Sequence, residues 1–352
     1  MNSQAKESKF FKEIMQEVLR GMNGDTDHDL QFILAQAEIY KDHEYGIEIT
    51  RALGRLICKL LPDDKRVEID KLFSDHKSSV ESTLEEVRFN QTQGEVNKAV
   101  ELIKPLINEY DSLSTTMYQD DTESTYFCFD SPAEEITYII HNDVSKTIRR
   151  VPEQFATIFT MYASLLFELK EHSEAIGYLE KALRWNPAAA AVYFELGENY
   201  KQLGEMEAFH EYNSKAYPYI LNASDLARFL RGNGFYHIEK QQLELASACF
   251  LVSLLYEQSQ MVAAELFYIR QKYGEDYAGM KPDKAIELLE QRNIPFRADP
   301  NTLSGLVHLL SLAANNDDLP TLAETLKDLY ELTGNQEFYD RFIELKEGGP
   351  LA

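Results

Sequence analysis

Apolar positions recur three and four residues apart along most of the chain, the spacing that gives a helix one buried face. Between Ser8 and Arg20 they fall at Phe10, Phe11, Ile14, Met15, Val18 and Leu19. Gly21 to Asp27 is turn chemistry broken at Asn23-Gly24, and Asp27 is placed to cap a second helix carrying Leu30, Ile33, Leu34, Ala37 and Tyr40. A third helix is expected from about Glu44 to Leu61, with Ile47, Leu53, Leu56, Ile57 and Leu60 inward and Pro62 as its stop. Two or three more should fill Asp63 to Tyr110. There Gly94 marks a turn, and Ala99, Ile103 and Leu106 are spaced as in the second helix of a hairpin.

The rhythm breaks between Asp111 and Asp130. Ser112, Ser114, Thr115, Thr116 and Asp120-Asp121 make a polar stretch, followed by Tyr126-Phe127-Cys128-Phe129, which is short and rich in strand formers. Ser131-Pro132-Ala133-Glu134 then has the form of a capping box with proline at the first helical position. Ile136, Ile139 and Ile140 supply the apolar stripe behind it, so a loop, an extended strip and a helix to about Asn142 are preferred over a hairpin ending at 136–140.

From Val151 onward a motif repeats at a period of about 34 residues. The first copy has Phe159, Tyr162, Ala163 and Leu166, then Ala175, Leu179, Ala182 and Pro187. The second has Tyr193, Leu196, Gly197 and Tyr200, then Phe209 and Ala216. A third, offset by three residues placed around Tyr219 to Ala223, has Leu230, Asn233, Gly234 and His237, then Ala246, Phe250 and Ser253. The pattern predicts helix pairs at about 152–169 with 172–185, 188–203 with 205–217, and a third through 258. A degenerate fourth pair is expected at about 260–274 and 282–292, and final helices at about 300–314, 319–333 and 336–346. Small residues at Ala163, Gly197 and Gly234 would let paired helices approach, while Phe159, Tyr193, Tyr200 and Phe250 fill the space between. Trp185, the one tryptophan, is expected to be a packing residue at a helix end rather than a ligand platform.

These residues resemble the tetratricopeptide repeat superfamily over 155–258, and 260–346 looks like divergent members of the same array. The stretch from Tyr126 to Pro187 resembles tetratricopeptide repeat proteins of Gram-positive gut bacteria. The resemblance implies an all-α fold of helical hairpin repeats forming a right-handed superhelix, here with a short irregular or extended insertion near 111–130. It also implies a protein-interaction role without an activity. The expected organisation is an N-terminal helical region at 1–110, a connector at 111–150, repeat units at 151–258 and divergent helical repeats at 259–352. Family members that clamp a peptide carboxylate use Lys and Asn on the first inner helix, Asn on the second and Lys with Arg on the third, positions held here by Thr160 and Ser164, by Glu195, and by Arg228 and Gly232. Only Arg228 fits, so that clamp is not carried over.

Composition narrows the role. The formal net charge is -24, and no dense Lys/Arg run is present, which disfavours nucleic acid and anionic membrane surfaces. The first residues have no apolar core of a secretory signal, and no run is long enough to span a bilayer. Cys58, Cys128 and Cys249 are odd in number and far apart, as suits reduced thiols, so a cytoplasmic location is expected. No helical His pair, Cys-x-x-Cys, phosphate loop or nucleophile elbow occurs, so neither a cofactor, a metal nor catalysis is expected.

The first helix of each pair should line a concave wall. That places Thr157, Thr160, Ser164 and Phe167, then Ala191, Phe194, Glu198 and Lys201, then Arg228, Arg231, Phe235 and Ile238 on it. Of these, Thr160, Ser164, Phe194, Glu198, Lys201, Arg228, Arg231 and Phe235 are the candidate groove for a protein or peptide, with the acidic balance favouring a partner that bears a basic patch. The competing assignment is that Phe194 and Phe235 pack between units and that Arg228 and Arg231 pair with nearby Glu. A second function is a peptide-sensing signalling regulator, an N-terminal helical bundle plus array acting on a response-regulator-type partner. Gln16 and Gln31 are the residues to inspect for it. A self-assembler whose groove is filled by 111–130 or by a second copy is a third.

Overall fold

A computed structural model of the protein describes Ile14, Val18, residues 20–23, 26–40, Ile49, Leu53, 79–116 and 118–346. The fold is all-α with one small sheet, and the chain divides into two compact units, Met1–Glu86 and Val87–Ala352. In the first unit, α1 (Thr26–Tyr40) places Ile33 in a buried cluster with Ile14, Val18, Ile49 and Leu53. Leu34, one of the apolar positions of this helix, is 58% exposed. The rest of the helix expected at 44–61 and the segment 63–78 lie outside the described residues.

α2 (Ser79–Thr92) and α3 (Val96–Thr116) meet at Gly94, as the sequence predicts. α3 continues past Tyr110 through the polar stretch expected to break it. The reason is local: the hydroxyls of Ser114, Thr115 and Thr116 donate to carbonyls of Asp111 and Ser112 inside the helix, at 2.8–2.9 Å, so these residues are satisfied without leaving it.

The extended strip is β1 (Ser124–Phe127), followed by α4 (Pro132–His141) and β2 (Thr147–Arg150). The two strands are parallel, with Ser124 opposite Thr147 and Phe127 opposite Arg150. The sequence pattern does not predict β2. It does predict the cap: Ser131 Oγ accepts from the Glu134 amide at 3.2 Å, and the Glu134 carboxylate reaches back to the Asp130 amide at 2.7 Å. The strip is sewn to the array by the Cys128 amide, which donates to the Trp185 carbonyl at 2.8 Å. Trp185 is buried and stacks on Phe155 with ring centroids 4.1 Å apart, as a packing residue should.

Three hairpins come next: α5 (Phe155–Glu168) with α6 (His172–Trp185), α7 (Ala190–Gln202) with α8 (Met206–Ala216), and α9 (Ala223–Glu239) with α10 (Leu243–Ser253). The extra residues between the second and third form a 3-10 turn at Tyr217–Tyr219 and a helix cap at Asn222, whose side chain accepts from the Asp225 amide. One turn geometry recurs. Gly94, Lys170, Gly204 and Gln241 all have left-handed φ, between 57° and 80°. At each, the left-handed residue donates to the carbonyl three residues back and the next residue to the carbonyl five back, as in Gly204→Lys201 (3.0 Å) and Glu205→Tyr200 (2.9 Å). This is the Schellman closure, which satisfies the last carbonyls of the first helix.

The crossings depend on missing side chains. A Cβ at Gly197 would lie 3.3 Å from Phe209, and one at Gly234 only 2.7 Å from the Phe250 ring.

The fourth hairpin does not form. α11 (Gln260–Tyr273) puts Val262, Leu266 and Ile269 into a cluster with Ile238, Leu243, Ala246 and Phe250. α12 (Pro282–Gln291) packs on α10 instead of α11, and its Ala285 and Leu289 join a second cluster with Leu245, Ala248, Cys249 and Val252. α10 is apolar all round and so takes a neighbour on each side.

α13 (Pro300–Asn315), α14 (Leu319–Thr333) and α15 (Gln336–Lys346) pack in succession, and α13 also returns to α4. Gly305 makes room for Ile140, which would be 2.4 Å from a Cβ there. His141 Nε2 lies 2.8 Å from Thr302 Oγ1, whose own proton goes to the Pro218 carbonyl at 2.6 Å, so the imidazole is the donor of that bond.

The crossing geometry is open to a direct test. Gly234→Ala should destabilise by about 1–3 kcal/mol through overpacking against Phe250. Gly177→Ala in α6, where a Cβ meets nothing within 4 Å, should stabilise by up to about 1 kcal/mol from helix propensity; equal urea midpoints for the two variants would refute the crossing role.

Asp328 in α14 gives a pH-dependent outcome. Burial, then Glu324 and Glu331, raise its carboxyl from 3.8 to about 7, against a smaller opposing effect of Lys327. The folded chain therefore holds a proton that the unfolded chain releases, and stability should fall as pH rises from about 4 to about 7. Asp328→Asn should lose that fall and be more stable than wild type at pH 8; parallel pH profiles in urea unfolding would contradict it.

Candidate functional site

The eight candidate residues do not share one surface. Lys201 and Phe235 face a cavity of about 540 Å³, which is completed by Gly204, Met206, Ile238, Glu239, Glu265 and Tyr268. Thr160 and Ser164 face another, of about 410 Å³. The other four lie in neither lining.

In the first cavity, the C-terminal halves of α7 and α9 supply Lys201, Phe235 and Ile238, the start of α8 supplies Met206, and α11 supplies Glu265 and Tyr268. Lys201 is held at 2.5 Å from Glu198, one helical turn back, and its ammonium lies 4.8 Å from the Phe235 ring centroid and 5.2 Å from that of Phe209. Glu198 thus acts by fixing Lys201 over two aromatic faces. Burial raises the Glu265 carboxyl above its ordinary value, with Lys201 opposing. The lining thus combines aromatic and aliphatic side chains with one positioned cation and the carboxylates of Glu239 and Glu265.

The second cavity runs along one face of α5, through Ala156, Thr157, Thr160 and Ser164, and past Ala189–Val192. Arg88 and Gln91 of α2 close one side, and Asp130, Glu134 and Asp225 stand on others. Gln91 donates to Ser164 Oγ at 2.9 Å and to Glu168 at 2.7 Å. Asp130, Glu134 and Asp225 are all raised, chiefly by burial. Their hydrogen bonds come from neutral groups: Thr157 to Asp130, Asn186 to Glu134 and Asn222 to Asp225.

Phe194 is a correction to the groove. It is 3% exposed and belongs to the core that includes Ala133 of α4, Leu226 and Leu230, so it offers no surface to a partner. Arg228 lies 4.9 Å from the Phe194 ring centroid and pairs with Glu195 at 2.9 Å. Arg231 pairs with Glu257 at 2.9 Å. Both arginines therefore have acidic partners within the chain.

Sequence reasoning missed Arg88, Gln91, Asp130, Glu134 and Asp225 in one cavity and Met206, Glu239, Glu265 and Tyr268 in the other. All but Met206, Glu239 and Asp225 come from outside the three repeats. The cysteines described are buried: Cys128 is pushed up to about 12 by burial, and Cys249 is raised for the same reason. Cys58 lies outside the described residues. Among the described residues, no group of three or more His, Cys, Asp or Glu is placed to hold a metal ion, and no helix is long and apolar enough to cross a membrane.

Residues 156–188, which are α5, its turn, α6 and the proline that ends the unit, match the tetratricopeptide repeat family. No match was found among the curated proteins. Tetratricopeptide units are protein-interaction modules in general: each buries its flank on a neighbour, and the stack offers a surface to a partner.

Proposed function

We propose that this chain is an interaction scaffold that holds a protein segment or peptide without acting on it chemically. The observation that carries this reading is the cavity of about 540 Å³ where Lys201, held by Glu198, lies over Phe235 beside Met206, Ile238 and Tyr268. An aromatic and aliphatic slot takes an apolar side chain as anchor, and few fixed polar groups orient it. Glu239 and Glu265 on the same lining, in a chain of net charge -24, favour a segment with Lys or Arg beside that anchor. The cavity at Thr160 and Ser164, with its three carboxylates, extends the same preference along the first helices of the array.

A signalling role has one observation in its favour: Met1–Glu86 is a compact unit of its own, as a separate N-terminal module requires. Gln31 on α1 is exposed; Gln16 lies outside the described residues.

Selection from a random peptide library against the full chain tests the scaffold reading. Recovered peptides should combine an apolar residue with Lys or Arg and bind more weakly as salt rises. Lys201→Ala/Phe235→Ala should lose about tenfold or more in affinity, while Arg270→Ala, whose partner is Asp276 outside the cavity, should bind as wild type does. Equal affinity of wild type and the Lys201/Phe235 variant would show that the slot is not the binding surface.

A further inference from the structure

The joint between the second and third hairpins contains two histidines that line neither cavity. His210 of α8 and His237 of α9 have ring centroids 6.5 Å apart. His237 is 9% exposed. His210 lies flat against Tyr236, with centroids 3.9 Å apart and planes 7° from parallel. Each ring keeps one buried nitrogen without a hydrogen-bond partner, Nδ1 of His210 and Nε2 of His237. The other nitrogen of His237, Nδ1, is 2.8 Å from Gln242 Oε1, so it is the donor and Nε2 is left bare in the neutral ring. In the charged form both nitrogens of each ring carry a proton, so each ring would hold a buried N–H with no acceptor and a charge with little solvent.

From this we infer that the His210–His237 pair is a proton-operated catch: neutral, it lets α8 and α9 close against each other, and protonated, it drives the joint open. The charged groups around it divide unequally. Glu207 of α8 favours a charge on His210, while Lys240 at the end of α9 opposes it. Glu207 is already engaged by Lys240 and by the Tyr236 hydroxyl, at 2.9 Å from the latter. Around His237, His210 and Arg292 at the end of α12 both oppose a charge, and Gln242 supports it by accepting from Nδ1. Burial is the largest influence on both rings and holds both below the ordinary imidazole value of 6.5.

The open joint binds protons more readily than the closed one, so closure is at full strength above about pH 7 and weakens as the pH falls below 6.5. The helices involved carry four of the residues that line the Lys201 cavity, namely Met206 on α8 and Phe235, Ile238 and Glu239 on α9. Acid would therefore loosen the slot itself; that consequence rests on the slot being the binding surface, whereas the catch does not.

Hydrogen exchange of the α8 and α9 amides in the full chain tests the catch without any ligand. After correction for intrinsic exchange, opening of the wild-type joint should rise by up to about tenfold per histidine, hence about a hundredfold, between pH 7.5 and pH 5.5. His210→Phe/His237→Leu should lose most of that rise. Because this variant could misfold, the two imidazoles of the wild type should also be titrated by NMR, where each should protonate below 6.5. Imidazoles that titrate at or above 6.5 in the folded chain, or a double variant with the wild-type pH profile, would overturn the catch. Peptide affinity measured in parallel separates the two readings: a pH-dependent joint with a pH-independent affinity removes the slot and leaves the catch.

Discussion

In two of the three hairpins, an aromatic ring of the second helix sits where the first helix has no side chain. Phe209 lies over Gly197 and Phe250 over Gly234, and in the first hairpin Ala163, almost fully buried, occupies the equivalent place. Everything else in the array depends on this close approach. It brings the two helices of each pair close together, and each second helix then packs on the first helix of the next pair. The Schellman turn is the second half of the same constraint, because helices this close must be joined by few residues. Glycine at 94 and 204 takes the left-handed position freely, while Lys170 and Gln241 hold it at a cost of about 1–2 kcal/mol each. Packing on both sides of the turn offsets that cost.

The array does not simply run to the end of the chain. α10 is covered on both flanks, by α11 and by α12, and so ends the regular stacking. The helices beyond it serve other ends. α11 becomes a wall of the Lys201 cavity instead of half of a hairpin, and α13 turns back to α4. The core that results includes residues from α4, α7, α9, α10 and α12 to α14, Phe194 among them. Among the described residues, the candidate groove residues Lys201 and Phe235 line one cleft and Thr160 and Ser164 another.

The sequence was most legible where one residue type has one physical use. The small–large order at Gly197/Phe209 and Gly234/Phe250 gave the hairpins, and Ser131-Pro132 with Glu134 gave α4. It was silent where a common residue does an uncommon job. Lys170 and Gln241 carry no turn signal, so the shared turn could not be seen. β2 offers only Thr147 and Ile148 before two arginines, and its partner strand lies on the far side of a helix. The polar run 112–116 resembles a loop because Ser and Thr favour turns, yet their hydroxyls found carbonyls within α3. For the site, Lys201 and Phe235 could be placed by counting within a repeat. Glu265, Tyr268, Arg88 and Gln91 could not, since they arrive through tertiary packing that no periodicity encodes. The arginines were legible as charges, but their acidic partners Glu195 and Glu257 were a matter of geometry.

The clasp between α4 and α13 changes what kind of object the array is. Its polar link, His141 to Thr302, joins residues 161 positions apart. An open solenoid is held only by nearest neighbours, so it frays from its ends, stretches under load and loses units one at a time. Here α4, which precedes the three hairpins, and α13, which follows them, hold each other, and parting them exposes Ala133 and Leu306 of one shared core. Such a link couples units that would otherwise melt independently, and the entropy of closing so long a loop is repaid only once α13 docks on α4.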